Sequence, residues 1–171
     1  MDRLRYPSGP FLPQPDLTPQ QRDELIEEIA HFPADLRFVV SSLTGAELDT
    51  PYREGGWTLR QVVHHLPDSH VNAYVRFKLA MTEDAPTIKA YDEAAWAETE
   101  EARTAPVEIS LDLMDGLHKR WVLLLRALAE EDFARTLNHP EAGLLPLDVM
   151  LQLYAWHGRH HLGHIGLVAE E

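Results

Sequence analysis

Residues 58–82 read TLRQVVHHLPDSHVNAYVRFKLAMT. Thr58 suits an N-cap, and Gln61 three residues on completes a capping box. Leu59, Val62, Val63, Leu66, Tyr74, Phe77 and Leu79 follow at helical spacing. The stretch predicts one long helix over residues 59–82. Pro67 falls inside it, where a proline frees the carbonyl of Val63 and bends the helix.

The same signals recur on both sides. TPQQ at 18–21 gives another capping box, with Pro19 at the first helical position. A helix is expected from there to His31, then a break at FPAD, then a second piece carrying Leu36, Val39, Val40 and Leu43. Residues 1–17 are rich in Pro and read as an extended arm. Residues 44–57, TGAELDTPYREGGW, read as a loop with one short turn. A loop is expected at 83–90 around Pro86, and a short acidic helix in YDEAAWAETEEART at 91–104. Residues 107–129 form another long helix, with Leu113, Leu117, Trp121, Leu124, Leu125 and Leu128 on one side. A loop through Pro140 and Gly143 leads to a last helix starting near Pro146. No segment alternates with period two over a useful length. Four long helical pieces with short connections predict an all-α fold, a four-helix bundle in one domain spanning 1–171.

Composition narrows the function. The chain of 171 residues has 15 Lys and Arg against 28 Asp and Glu, a formal charge of −13. That balance repels phosphate backbones and argues against nucleic acid as a partner. There is no cysteine, which excludes disulfides, thiolate ligands and a cysteine nucleophile. Any metal site must use His, Asp or Glu. The start, MDRLRYPSGPFLPQPDLTP, has no apolar signal region, and no run approaches the ~20 apolar residues of a membrane span. A cytoplasmic location with no membrane partner is expected.

Four of the ten histidines lie in WHGRHHLGHI at 156–165. On a helix, side chains four apart share a face, and two imidazoles so placed can ligate one ion. His157 with His161 is one such pair, and His160 with His164 is another. A further cluster, HHLPDSH at 64–70, holds His64, His65 and His70. Facing bundle helices commonly build metal sites in this way. A lone buried histidine is more often a hydrogen-bonded core residue, and an exposed tract can bind metal adventitiously. Spacing alone does not rank the two pairs.

Four motifs carry a resemblance: YPSG at 6–9, TPYREGGWTLRQVVHHLPDSHVNAYVRFKL at 50–79, LHKRW at 117–121 and YAWHGRHHLGHI at 154–165. With these the chain resembles the DinB/YfiT superfamily. Within it the chain is similar to the YfiT-type bacillithiol transferases, also labelled metal-dependent hydrolases. The resemblance implies a DinB-like four-helix bundle that forms a homodimer. It also implies one divalent ion per subunit, held by His65, His157 and His161. His164 falls where the wider family has Gln, His160 lies between the ligand positions, and His64 precedes one. These three are left to packing, to contacts behind the ligands or to substrate. Two departures are Pro67, where a small helix former is usual, and Leu162, where the superfamily has Arg.

Three neutral imidazoles leave positions open on an ion, as in catalytic sites. Zinc is the first expectation and nickel the second, since imidazole suits both. An ionised water at such a site hydrolyses esters or amides. Alternatively a bound thiol is held as thiolate, the nucleophilic form. The resemblance implies the second, with bacillithiol or a similar small thiol as co-substrate and an electrophile as acceptor. A metal-binding module without turnover is the reading from another class. Each ligand histidine needs a partner for its other ring nitrogen. Asp68, one turn from His65, is a candidate, against the plainer reading of a solvated carboxylate. Arg53, Trp57, Arg76 and Trp121 lie in the matched motifs, and Arg76 or Tyr74 is expected to approach the substrate pocket.

Overall fold

Thr18 and Thr58 make the expected boxes: each hydroxyl accepts from the backbone N–H of Gln21 or Gln61, whose side chain returns the bond. These caps satisfy backbone donors that a helix start leaves orphaned. They open α1 (Pro19–Ser41) and α3 (Leu59–Thr82). Between them lies the single turn α2 (Gly45–Leu48), capped by Thr44. The computed structural model describes residues 3–169. Met1 and Asp2 of the expected arm lie outside the described residues.

After α3 come the short α4 (Glu93–Ala97) and α5 (Glu100–Thr104), then α6 (Val107–Arg126) and, after a hairpin, α7 (Leu147–Ala169). Four helices form the bundle. α1 packs on α6 and α7, and α3 packs on the same two. So α1 and α3, the first two bundle helices in the chain, face each other across the bundle rather than side by side. Two apolar clusters fill it. One surrounds Phe77, Trp121, Leu151 and Tyr154, and the other surrounds Phe32, Leu36, Leu66 and Met114. No helix is long and apolar enough to cross a membrane among the described residues.

The structure corrects several boundaries. α1 runs unbroken through FPAD, because Pro33 removes only one helical hydrogen bond while Phe32, Leu36 and Val40 keep burying the same face. The acidic segment is two helices rather than one, since Asp92 caps the first and the chain restarts at Thr99. The face of α6 is rotated from the expected stripe. Leu111, Met114, His118, Trp121 and Leu125 are buried, whereas Leu113 is 52% exposed. α6 ends at Arg126, short of residue 129. The expected loop near Pro140 is an antiparallel hairpin of β1 (Thr136–His139) and β2 (Gly143–Pro146). Each strand has four residues, too few for a period of two to show.

The arm, described from residue 3, lies across α7. Trp156 donates its indole N–H to the carbonyl of Gly9, the Ser8 hydroxyl donates to the carbonyl of Arg159, and Gln14 and Gln152 exchange two hydrogen bonds. Two glycines of WHGRHHLGHI permit close approaches to α7, Gly158 by α1 and Gly163 by the arm. A Cβ on Gly158 would lie 2.9 Å from the Phe32 ring, and one on Gly163 would lie 2.8 Å from Pro7.

Candidate metal centre

The helix period and the α3–α7 contact bring three imidazoles together. His157 and His161 stand one turn apart on α7, and His65 faces them from α3. Nε2 of His157 lies 3.3 Å from Nε2 of His65 and 3.2 Å from Nε2 of His161. The ligand-capable atoms of all three lie within 4.8 Å of one another. A tetrahedral zinc site with Zn–N bonds of ~2.0–2.1 Å has N···N edges of ~3.3 Å. The donor set therefore fits a divalent ion in both spacing and chemistry. His65 and His161 are buried.

Burial keeps these rings neutral. Desolvation lowers His65 to about 4, and it holds His157 and His161 well below the usual range, with neighbouring imidazoles adding to the effect. A neutral imidazole is the form that ligates metal.

The far-side ring nitrogens of His157 and His161 have partners too. His70, fully buried on α3, contacts Nδ1 of His157 at 3.1 Å through its Nε2. Its own Nδ1 lies 2.8 Å from Nε2 of His118 on α6. His118 Nδ1 donates to the backbone carbonyl of Ile29 on α1 at 2.7 Å. Phe32 stacks on His70, and Trp121 and Tyr154 meet it edge-on, so the ring is walled by aromatics. Behind His161, Nδ1 of His164 lies 3.3 Å from Nδ1 of His161. His164 Nε2 donates to the carbonyl of Arg5 at 3.3 Å, and its ring stacks on Tyr52.

The other expected residues are placed as follows. His64 points to α6, where Ser110 and the carbonyl of Ala105 engage both its nitrogens. His160 stacks on Trp156, and its buried Nδ1 has no hydrogen-bond partner. His160, His161 and His164 form a second group whose nitrogens could meet at an ion. Asp68 does not pair with His65: among the described residues no hydrogen bond joins them. Its carboxyl is half-buried, and burial with nearby Glu101 raises it to about 6. His70 and His118 were not singled out by spacing as partners of the centre. The one cue in the sequence was Pro33, which leaves the carbonyl of Ile29 without its helical donor.

Two clefts flank the centre. One, of about 560 Å³, is lined by His65, His157 and His161 with Tyr52, Arg53 and Trp57. The other, of about 650 Å³, is lined by His157 with Ser69, Arg76, Tyr91, Tyr154 and His139. Glu93 and Ala94 border both. Arg76 thus reaches a cleft, whereas Tyr74 packs outside it near Lys78 and Arg120. Trp57 packs against His65, and Trp121 is core. Burial raises the hydroxyls of Tyr91 and Tyr154, which stay protonated and can donate.

Fold and site together define a helical bundle with a histidine cluster able to hold a divalent ion. The chain belongs to the DinB superfamily, which it matches over residues 28–165. It is 53% identical over 165 residues to a Bacillus cereus (strain B4264) protein named "Putative metal-dependent hydrolase", covering 96% of this chain and 95% of that one. A Bacillus mycoides (strain KBAB4) protein of the same name is 51% identical over 170 residues, covering 99% and 98%. Among solved structures, the chain resembles YfiT from Bacillus subtilis, described as "a probable metal-dependent hydrolase with an unusual four-helix bundle topology". The TM-score is 0.96 at 45% identity, covering 98% of this chain and 97% of that chain.

Proposed function

We propose that the chain is a divalent-metal-dependent thiol transferase. His65, His157 and His161 hold the ion, with zinc first and nickel second. The observation that carries this is the convergence of three Nε2 atoms where two clefts meet. A bound divalent ion supplies Lewis acidity that favours the ionised form of a thiol or water. One cleft gives room for bacillithiol or a similar small thiol, and the other for an electrophile. The chain contains no cysteine, so a thiol nucleophile has to be a co-substrate. Arg76, Tyr91 and Tyr154 supply donors that orient polar groups in the larger cleft. Trp57 and Tyr52 wall the smaller cleft and limit water there. The working assembly is a homodimer.

The names of the relatives favour a second reading, hydrolysis at the same centre. One experiment separates the two. The zinc-loaded protein is mixed with bacillithiol and a chlorinated bimane, and separately with ester and amide substrates without thiol. Conjugation that disappears with chelator supports the transferase. Thiol-independent turnover of the esters or amides, with no conjugation, replaces it with the hydrolase.

A further inference from the structure

The histidines behind the centre form two chains that each end on a backbone carbonyl. A carbonyl only accepts. His118 must therefore carry its proton on Nδ1 to bond Ile29, 2.7 Å away. His70 and His118 are fully buried, where a charged imidazole is costly, so each ring holds one proton. The Nε2 of His118 is then an acceptor, and Nδ1 of His70, at 2.8 Å, must donate to it. By the same step Nε2 of His70 accepts, and Nδ1 of His157, at 3.1 Å, donates. This leaves the Nε2 of His157 as a bare lone pair facing His65 and His161.

The second chain obeys the same logic. His164 donates from Nε2 to the carbonyl of Arg5, so its Nδ1 accepts from Nδ1 of His161. Nε2 of His161 is then also a lone pair. The direction of both chains agrees with what an ion requires. Had either carbonyl been a donor, every tautomer along its chain would reverse, and a proton would sit where the ion goes.

The first chain also explains a local oddity. Pro33 has no N–H, so the carbonyl of Ile29 lacks its usual helical donor. His118 supplies one from another helix. The path runs α7, α3, α6, α1, and so touches all four bundle helices.

We propose that His118 and His70 are positioning residues that relay the fixed polarity of the Ile29 carbonyl to His157, and that His164 does the same for His161 from the carbonyl of Arg5. This rests on the reading of His65, His157 and His161 as the ligands, because it gives the two lone pairs their purpose.

Long-range proton–nitrogen NMR of the histidine rings tests it on the wild-type protein, first metal-free and then with one equivalent of zinc. The expected result is a proton on Nδ1 of His70, His118, His157 and His161, and on Nε2 of His164, in both states. A proton on Nε2 of His70 or His118 overturns the first chain. A proton on Nε2 of His161, or on Nδ1 of His164, overturns the second. Failure to bind zinc at all, with the tautomers as expected, sinks the ligand reading but leaves the relay standing.

Variants add a second arm. His70→Phe keeps a ring in place and is expected to weaken zinc about 10–100-fold in competition with a chelating dye. His118→Phe touches no ligand. It is expected to let metal-free His157 populate the Nε2–H tautomer, a change that simple packing would not cause. An unchanged His157 tautomer in folded His118→Phe overturns the relay.

Discussion

Pro33 leaves vacant the carbonyl that His118 occupies: the missing N–H at residue 33 frees Ile29, and the His118 ring bonds it at 2.7 Å. Pro33→Ala restores a competing helical donor. The expected outcome is a more stable helix with a less firmly held His118. The gain in stability should fall below the ~3 kcal/mol usual for relieving an interior proline, since the Ile29 carbonyl already has a partner. Zinc affinity should fall a few-fold. Thermal melts and dye competition on the same preparation check both, and a variant with tighter zinc binding would contradict the idea.

Removing the metal should cost stability, because the three nitrogens gather only in the folded chain. At a free metal concentration 100 times the Kd, binding contributes about 2.7 kcal/mol. For a domain of this size that is about 5–10 °C in Tm. Chelator should lower Tm by that much in the wild type and by nothing in His65→Ala, His157→Ala or His161→Ala. Metal analysis after gel filtration should find those three variants empty. His64→Ala, which alters a ring bonded to α6, should stay loaded.

Acid should destabilise the metal-free protein through its buried imidazoles. Burial lowers His118 from 6.5 to about 4, against the opposing bond to Ile29. Between those values the unfolded chain binds the extra proton and the folded one does not, so stability falls as pH drops from 6.5 towards 4. The full shift is worth roughly 3 kcal/mol. Asp68, raised to about 6 from 3.8, acts with the opposite sign. Its folded form holds a proton that the unfolded form has lost, so its contribution fades as pH rises through 6. Urea midpoints from pH 7.5 to 4.5 should fall on acidification, less steeply in His118→Phe and more steeply in Asp68→Asn.

Arg22 on α1 grips Asp148 on α7 with two bonds of 2.7 and 2.8 Å, and both side chains are largely shielded from water. Asp148→Ala leaves the guanidinium only its longer 3.5 Å contact with Glu130. The expected loss is about 1–3 kcal/mol in urea unfolding, with metal content unchanged. A double-mutant cycle with Arg22→Ala should recover most of it as coupling.

Arg76 should govern substrate affinity rather than metal loading. Arg76→Ala is expected to raise KM for the substrate of the larger cleft about tenfold, with zinc content intact. If kcat falls instead and KM does not change, the residue acts on the reacting atoms rather than on binding.

Much of the fold was legible because local chemistry decides it. The capping boxes at Thr18 and Thr58 opened their helices where expected, and the i,i+4 spacing placed His157 over His161. Other features depended on distant partners. FPAD looked like a break because the donor that tolerates Pro33 sits on α6. His70 appeared only as a member of the HHLPDSH cluster, and His118 only within LHKRW, because the atoms they serve lie on other helices. The phase of α6 was misread because leucines occupy both its buried and its exposed faces. The hairpin was missed because one buried residue, Leu137, anchors a strand of four.

The arm crossing α7 has a consequence for how the protein matures. The arm is translated early and α7 only after the other bundle helices. A nascent chain that stops before residue 147 presents His65 and His70 to the cell but neither His157 nor His161. Of the three proposed ligands such a chain holds only His65, and one ligand alone is a poor trap for any ion. On the proposed ligand set, metal capture therefore waits until α7 has docked against α3.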